Sequence, residues 1–136
     1  MRIEDLTPYR YTRKKGLESG ISVGWLEGDD LLHSLGNSPS ELVKLLKQYE
    51  VQNRCRGFHM CEYCSEWGTE VGMGNGEIWV VKGDTLYIAP YLIIHYIEKH
   101  NYKPPLEFID AVFNGFRPHS PGYEMRLNKI LNKDGQ

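Results

Sequence analysis

Two residues separate Cys61 from Cys64, thirty more intervene before His95, and four lie between His95 and His100. No other pattern in the chain constrains its fold as much. A Cys-x-x-Cys turn presents two thiolates with the bite that a tetrahedral ion accepts, and histidines spaced this way have the matching metal-site spacing. Soft sulfur combined with imidazole selects zinc over magnesium or calcium. The intervening segment suggests how the ligands meet. Glu77-Ile-Trp-Val-Val81 and Thr85-Leu-Tyr-Ile88 flank Lys82-Gly83-Asp84, which predicts a β-hairpin. A knuckle, then a hairpin, then a helix carrying histidines is a treble-clef-like layout, in which the hairpin returns the helix over the knuckle.

The expected metal ligands are Cys61 and Cys64, then His95, with His100 and His59 competing for the fourth place. On an ideal helix, positions five apart point about 140° from each other, which counts against His95 and His100 sharing an ion. His59 lies two residues before Cys61, so an extended approach would turn both side chains the same way. Cys55 reads as a small buried hydrophobe. Cys-x-x-Cys also serves as a redox pair, but such motifs open a helix, and none is expected after Cys64. Four protein ligands make a closed structural site, whereas three leave room for water and for catalysis. Glu62, Glu66, Glu70 and Glu77 are the nearby candidate bases, and a solvated role is the expectation for them. No catalytic residue is assigned.

Around this unit, residues 21–26 alternate apolar with small or polar side chains, as a half-buried strand does. Ser38-Pro39-Ser40-Glu41 reads as a capping box, with Ser38 at the N-cap and Pro39 at the first helical position. Leu42, Leu45, Leu46 and Tyr49 then form one apolar stripe. Pro90 is expected to open a second, largely buried helix through about His100. A third should start at Pro104-Pro105, carry Ile109, Val112, Phe113 and Phe116 on one face, and end at Asn114-Gly115. The fold class is therefore α+β, a small antiparallel sheet with about three helices. Residues 1–118 form one zinc-stabilised domain, and 119–136 form a partly ordered tail with one short amphipathic stretch. Gly72-Met-Gly-Asn-Gly76 has the composition of a phosphate loop but leads into a strand and lacks the Lys-Ser/Thr ending, so a hairpin entry is expected.

Composition excludes several classes. A quarter charged and forty per cent hydrophobic is ordinary globular usage, so disorder is not expected. Three cysteines fit a disulfide framework poorly. With a charged start no secretory leader is expected, and residues 88–94 are too few to span a bilayer. The cytosol is the expected address. A net charge of −2 argues against general phosphate-backbone binding. The cluster of Arg10, Arg13, Lys14 and Lys15, interleaved with Tyr9 and Tyr11, reads as a solvated segment.

Arg56-Gly-Phe-His59-Met-Cys61-Glu-Tyr-Cys64, Gly74-Asn-Gly-Glu77-Ile and the long run from Ala89-Pro-Tyr-Leu-Ile-Ile-His95 through His100 to Pro105 together resemble an uncharacterised bacterial domain family. Glu4-Asp-Leu-Thr-Pro-Tyr-Arg-Tyr and Val23-Gly-Trp25-Leu continue the resemblance, which covers residues 4 to about 115. It implies a single bacterial domain with the Cys/His positions as a family feature, and it adds no chemistry.

The favoured functional reading is a small binding or regulatory protein stiffened by one structural zinc per chain, not an enzyme. Its expected partner is another protein or a small ligand, with bacterial interference or defence as the setting. No membrane and no organic cofactor are expected. One alternative is a metal-dependent hydrolase or nuclease with an open zinc site, in which Arg54 and Arg56 grip phosphate. The other is a nucleic-acid-binding zinc domain.

Overall fold

A computed structural model describes residues 5–8, 20–26, 29–49, 59–61, 63, 73–74 and 76–135, with the backbone alone at 59–60, 73–74 and 133–135. Its centre is the hairpin of β5 (Glu77–Lys82) and β6 (Thr85–Pro90), joined by Gly83 and Asp84. Gly83 takes φ +59°, the left-handed backbone that a two-residue hairpin loop requires. Val, Ile and Trp dominate β5, and Glu77 through Val81 are buried on both faces of the strand.

The sheet is mixed, not antiparallel as expected. Its order is β1 (Thr7–Pro8), β2 (Ile21–Ser22), β6, β5, and β2 runs parallel to β6 with Ile21 opposite Tyr87. The strand expected over residues 21–26 stops at Ser22. Gly24 sits at φ +82° with Ile93 packed so close that a Cβ would lie 2.9 Å from its Cδ1. The indole N–H of Trp25 donates to the Ile88 carbonyl at 3.0 Å.

Among the described residues, four α-helices surround this sheet instead of about three, with a short 3-10 turn at Asp30–His33. α1 (Ser40–Leu46) buries Leu42 and Leu46 as the apolar stripe requires. The capping box does not form: Pro39 is the N-cap residue, and the buried Ser38 hydroxyl has no hydrogen-bond partner among the described residues. Pro90 ends β6 instead of opening a helix; α2 (Ile93–His100) begins three residues later. α2 presents Ile93, Ile94 and Tyr96 to the core while Glu98 and Lys99 stay exposed, so it is buried on one side. Asn101, left-handed at φ 56°, closes its end.

α3 (Leu106–Asn114) buries Phe108, Ile109, Ala111 and Val112, whereas Phe113 lies on its exposed side. Gly115 stops it by close packing, not by a left-handed turn. A Cβ there would stand 2.4 Å from the Ala111 carbonyl oxygen and 2.5 Å from that of Val81.

α4 (Pro121–Gly135) follows and packs on β5 and β6. Its buried positions Tyr123, Leu127 and Ile130 recur at i, i+4, i+7, the spacing of one helix face. The Ser120 hydroxyl accepts from the Tyr123 N–H at 3.2 Å, capping the first turn. Two contacts cover the outer side of β5: the Phe116 N–H donates to the Val81 carbonyl at 3.0 Å, and the Tyr123 hydroxyl donates to the Trp79 carbonyl at 2.7 Å. Among the described residues, no helix is long and apolar enough to cross a membrane.

Asp5 ties the first segment to the core. Its carboxylate accepts from the Gly24 N–H at 2.7 Å and from the buried Tyr102 hydroxyl at 2.8 Å. Burial raises its pKa above 3.8; the two hydrogen bonds oppose this, and the charge of Asp30 adds to it. The folded state thus holds a proton that the unfolded chain has released. This contribution is fully present below the unfolded value and is lost as pH rises through the folded one. In urea titrations across a pH series, wild-type stability relative to Asp5→Asn should fall as pH rises from about 4 and then level off. A pH-independent difference would refute the assignment.

Candidate metal centre

Cys61 follows directly on a two-stranded ribbon, β3 (His59–Met60) paired antiparallel with β4 (Met73–Gly74). Met73 and Gly74 of the glycine-rich run therefore form a strand of the ribbon that leads to the cysteine. Cys61 is 5 % exposed and belongs to the hydrophobic core. α2 supplies His95 from its first turn and His100 as its last residue.

These three side chains converge. The Cys61 Sγ lies 3.4 Å from the His100 Nε2, which lies 3.2 Å from the His95 Nε2. Their ligand atoms all fall within 4.8 Å of one another, so the cluster can hold a metal ion. The expected 140° divergence of His95 and His100 does not keep the rings apart. A helical position fixes only the direction of the Cα–Cβ bond, and rotation about χ1 and χ2 brings the two imidazoles edge to face with centroids 5.0 Å apart.

Burial lowers the pKa of both histidines below 6.5, and for His95 the neighbouring charges of His100 and Lys99 lower it further against the opposing pull of Glu98. Each ring is thereby favoured in its neutral form, the form that binds a metal. Tyr63, inside the Cys-x-x-Cys segment, places its ring edgewise against both Tyr96 and His100 at centroid distances of 6.0 Å. The cysteine segment and α2 therefore meet through an aromatic contact as well as through the cluster. Sequence reasoning passed over Tyr63; the available signal was an aromatic residue between the two cysteines.

The other expected residues fall as follows. Cys64, Cys55, Glu62, Glu66, Glu70, Arg54, Arg56 and the basic cluster at 10–15 lie outside the described residues. His59 is described by its backbone in β3, two residues before Cys61. Glu77, expected to be solvated, is 3 % exposed and accepts a 3.0 Å hydrogen bond from the Trp79 indole N–H.

No curated protein and no solved structure matches the chain. A family model described as a domain of unknown function, DUF7919, matches residues 1–113, and the chain belongs to that family.

Proposed function

We propose that this domain binds one zinc ion through Cys61, His95 and His100, and that the ion fastens the cysteine-bearing ribbon to α2 in a small binding or regulatory protein. The carrying observation is the separation of the ligand atoms. Tetrahedral zinc, bonded at about 2.0–2.1 Å to nitrogen and about 2.3 Å to sulfur, sets N···N edges of about 3.4 Å and N···S edges of about 3.6 Å. The measured 3.2 Å and 3.4 Å are each within about 0.2 Å of those edges.

Cys64 is the fourth ligand in this reading, because the turn it shares with Cys61 has the bite of a knuckle. With four protein ligands the ion is structural. Thiolate ligation requires a reducing compartment, which the cytosol provides. The partner is another protein or a small ligand; exposed Leu32, Leu35, Leu106 and Met125 offer it apolar contact area. Of the candidate bases, Glu77 is buried against Trp79 and so is not a solvent-facing one.

Elemental analysis of purified protein should give one zinc per chain. After cobalt substitution, the thiolate-to-metal absorption should fall by about half in Cys64→Ser and stay unchanged in His59→Ala, since each thiolate contributes its own transition. A chain that purifies without metal and takes up no cobalt would end the proposal. A cobalt spectrum sensitive to His59 instead would move the fourth ligand there and leave the other three in place.

A further inference from the structure

We propose that α4 is an exchangeable element: in a dimer of this chain, each α4 seats in the groove of the other copy. Independent features of the helix and of its connection point this way. α4 lies beyond residues 1–113, the part matched by the family, whereas the strands that it packs on lie within it.

The helix is held by a small, well-defined set of anchors. Tyr123, Leu127 and Ile130 are buried at i, i+4, i+7, the pattern of an amphipathic helix laid in a groove. The Tyr123 hydroxyl reaches the Trp79 carbonyl at 2.7 Å, and its ring meets Tyr49 edge-on at 6.3 Å. Arg126 pairs with Asp84 at 2.6 Å, fixing the register. All of these groups belong to one chain here, and all would meet unchanged if the helix came from a second copy.

The connection is short and strained. Phe116 is pinned to β5 through Val81, and Ser120 already caps α4, so Arg117, Pro118 and His119 form the whole hinge. The Ser120 N–H closes it by donating to the Arg117 carbonyl at 3.1 Å. His119 sits at φ 63°, a left-handed conformation that disfavours any residue with a side chain. Short hinges under strain invite exchange, because opening them releases the strain and the contacts of the helix face are remade, at the loss of the hinge's own contacts from Ser120 to the Arg117 carbonyl and from His119 to Tyr123 and Glu124. Dimerisation is then set against association entropy and depends on concentration.

The test uses the full chain, equilibrated from micromolar to millimolar concentration and sized by chromatography with light scattering. The dimer fraction should rise with concentration. His119→Gly removes the left-handed cost from both hinges and should lower the dimerisation constant by roughly 30-fold, the square of about fivefold per hinge. Deleting Pro118 and His119 together leaves a connection too short to fold back and should give a dimer throughout. His119→Gly keeps the test decisive if that deletion fails to fold. A chain monomeric at every concentration overturns the proposal, as does a dimer indifferent to the hinge variants.

Discussion

Cys61→Ser should abolish zinc retention and lower the thermal midpoint by roughly 12–16 °C. A ligand present at a thousand times its dissociation constant stabilises the folded state by about 4 kcal/mol, and each kcal/mol moves a domain of this size by about 3–4 °C. Serine is nearly the shape of cysteine, so the loss of packing alone should account for about 1 kcal/mol. The two effects separate with a chelator. It should bring the wild-type melting curve down to about 3–4 °C above that of the variant, the packing difference alone, and leave the variant unmoved. A wild-type curve that ignores the chelator would mean that Cys61, His95 and His100 are ordinary core and helix-end residues. Local consequences should follow too, because Cys61 and Tyr63 join the ribbon segment to α2. Without metal, amide exchange should accelerate in β3, β4 and the last turn of α2 before it does in the β5–β6 hairpin.

Tyr123→Ala should cost about 3–5 kcal/mol in urea unfolding, and Tyr123→Phe about 1–2 kcal/mol. The alanine variant loses a ring that is 2 % exposed, packed on Tyr49, together with the bond to the Trp79 carbonyl. The phenylalanine variant keeps the ring and leaves that buried carbonyl unsatisfied, which sets the smaller figure. A loosely attached terminal helix would show neither effect, since surface substitutions usually stay within about 0.5 kcal/mol. The pair of variants therefore measures whether α4 is a structural part of the core.

Where local pattern and tertiary need agree, the sequence was easy to read. The hairpin at 77–90, the stripe of Leu42 and Leu46, and the cores of α2 and α3 follow from apolar spacing and turn chemistry. Three features were not legible for physical reasons. The parallel pairing of Ile21 with Tyr87 joins residues far apart in the chain, and two-residue strands carry no periodic signal. Ser38 has the residue type of a cap, yet the helix starts at Ser40, so local propensity lost to packing. Pro90 suits a first helical turn, but it also suits the end of a strand facing Glu77, where it need not donate. α4 was readable after all: Ser120-Pro121 followed by Tyr123, Leu127 and Ile130 is a cap with an apolar stripe. In the Cys/His cluster, the residue types and spacings singled out Cys61, His95 and His100, which the structure brings together. The doubt about His100 came from treating a helical wheel as if it placed ring nitrogens, which the flexible ends of long side chains do not obey.

The covering of β5 has a further consequence for how this molecule can associate. An edge strand with bare carbonyls is a template on which another chain can extend the sheet, whether as a peptide ligand or as the start of an aggregate. Here the outward carbonyls of Trp79 and Val81 are already occupied, by the Tyr123 hydroxyl and by the Phe116 N–H. At the opposite margin, β1 is two residues long and ends in Pro8, which has no N–H to donate. Strand addition is thus discouraged at both margins of the four-stranded sheet. Truncating the chain before α4 would bare the Trp79 and Val81 carbonyls of β5 and should make the four-stranded sheet open to strand addition and aggregation.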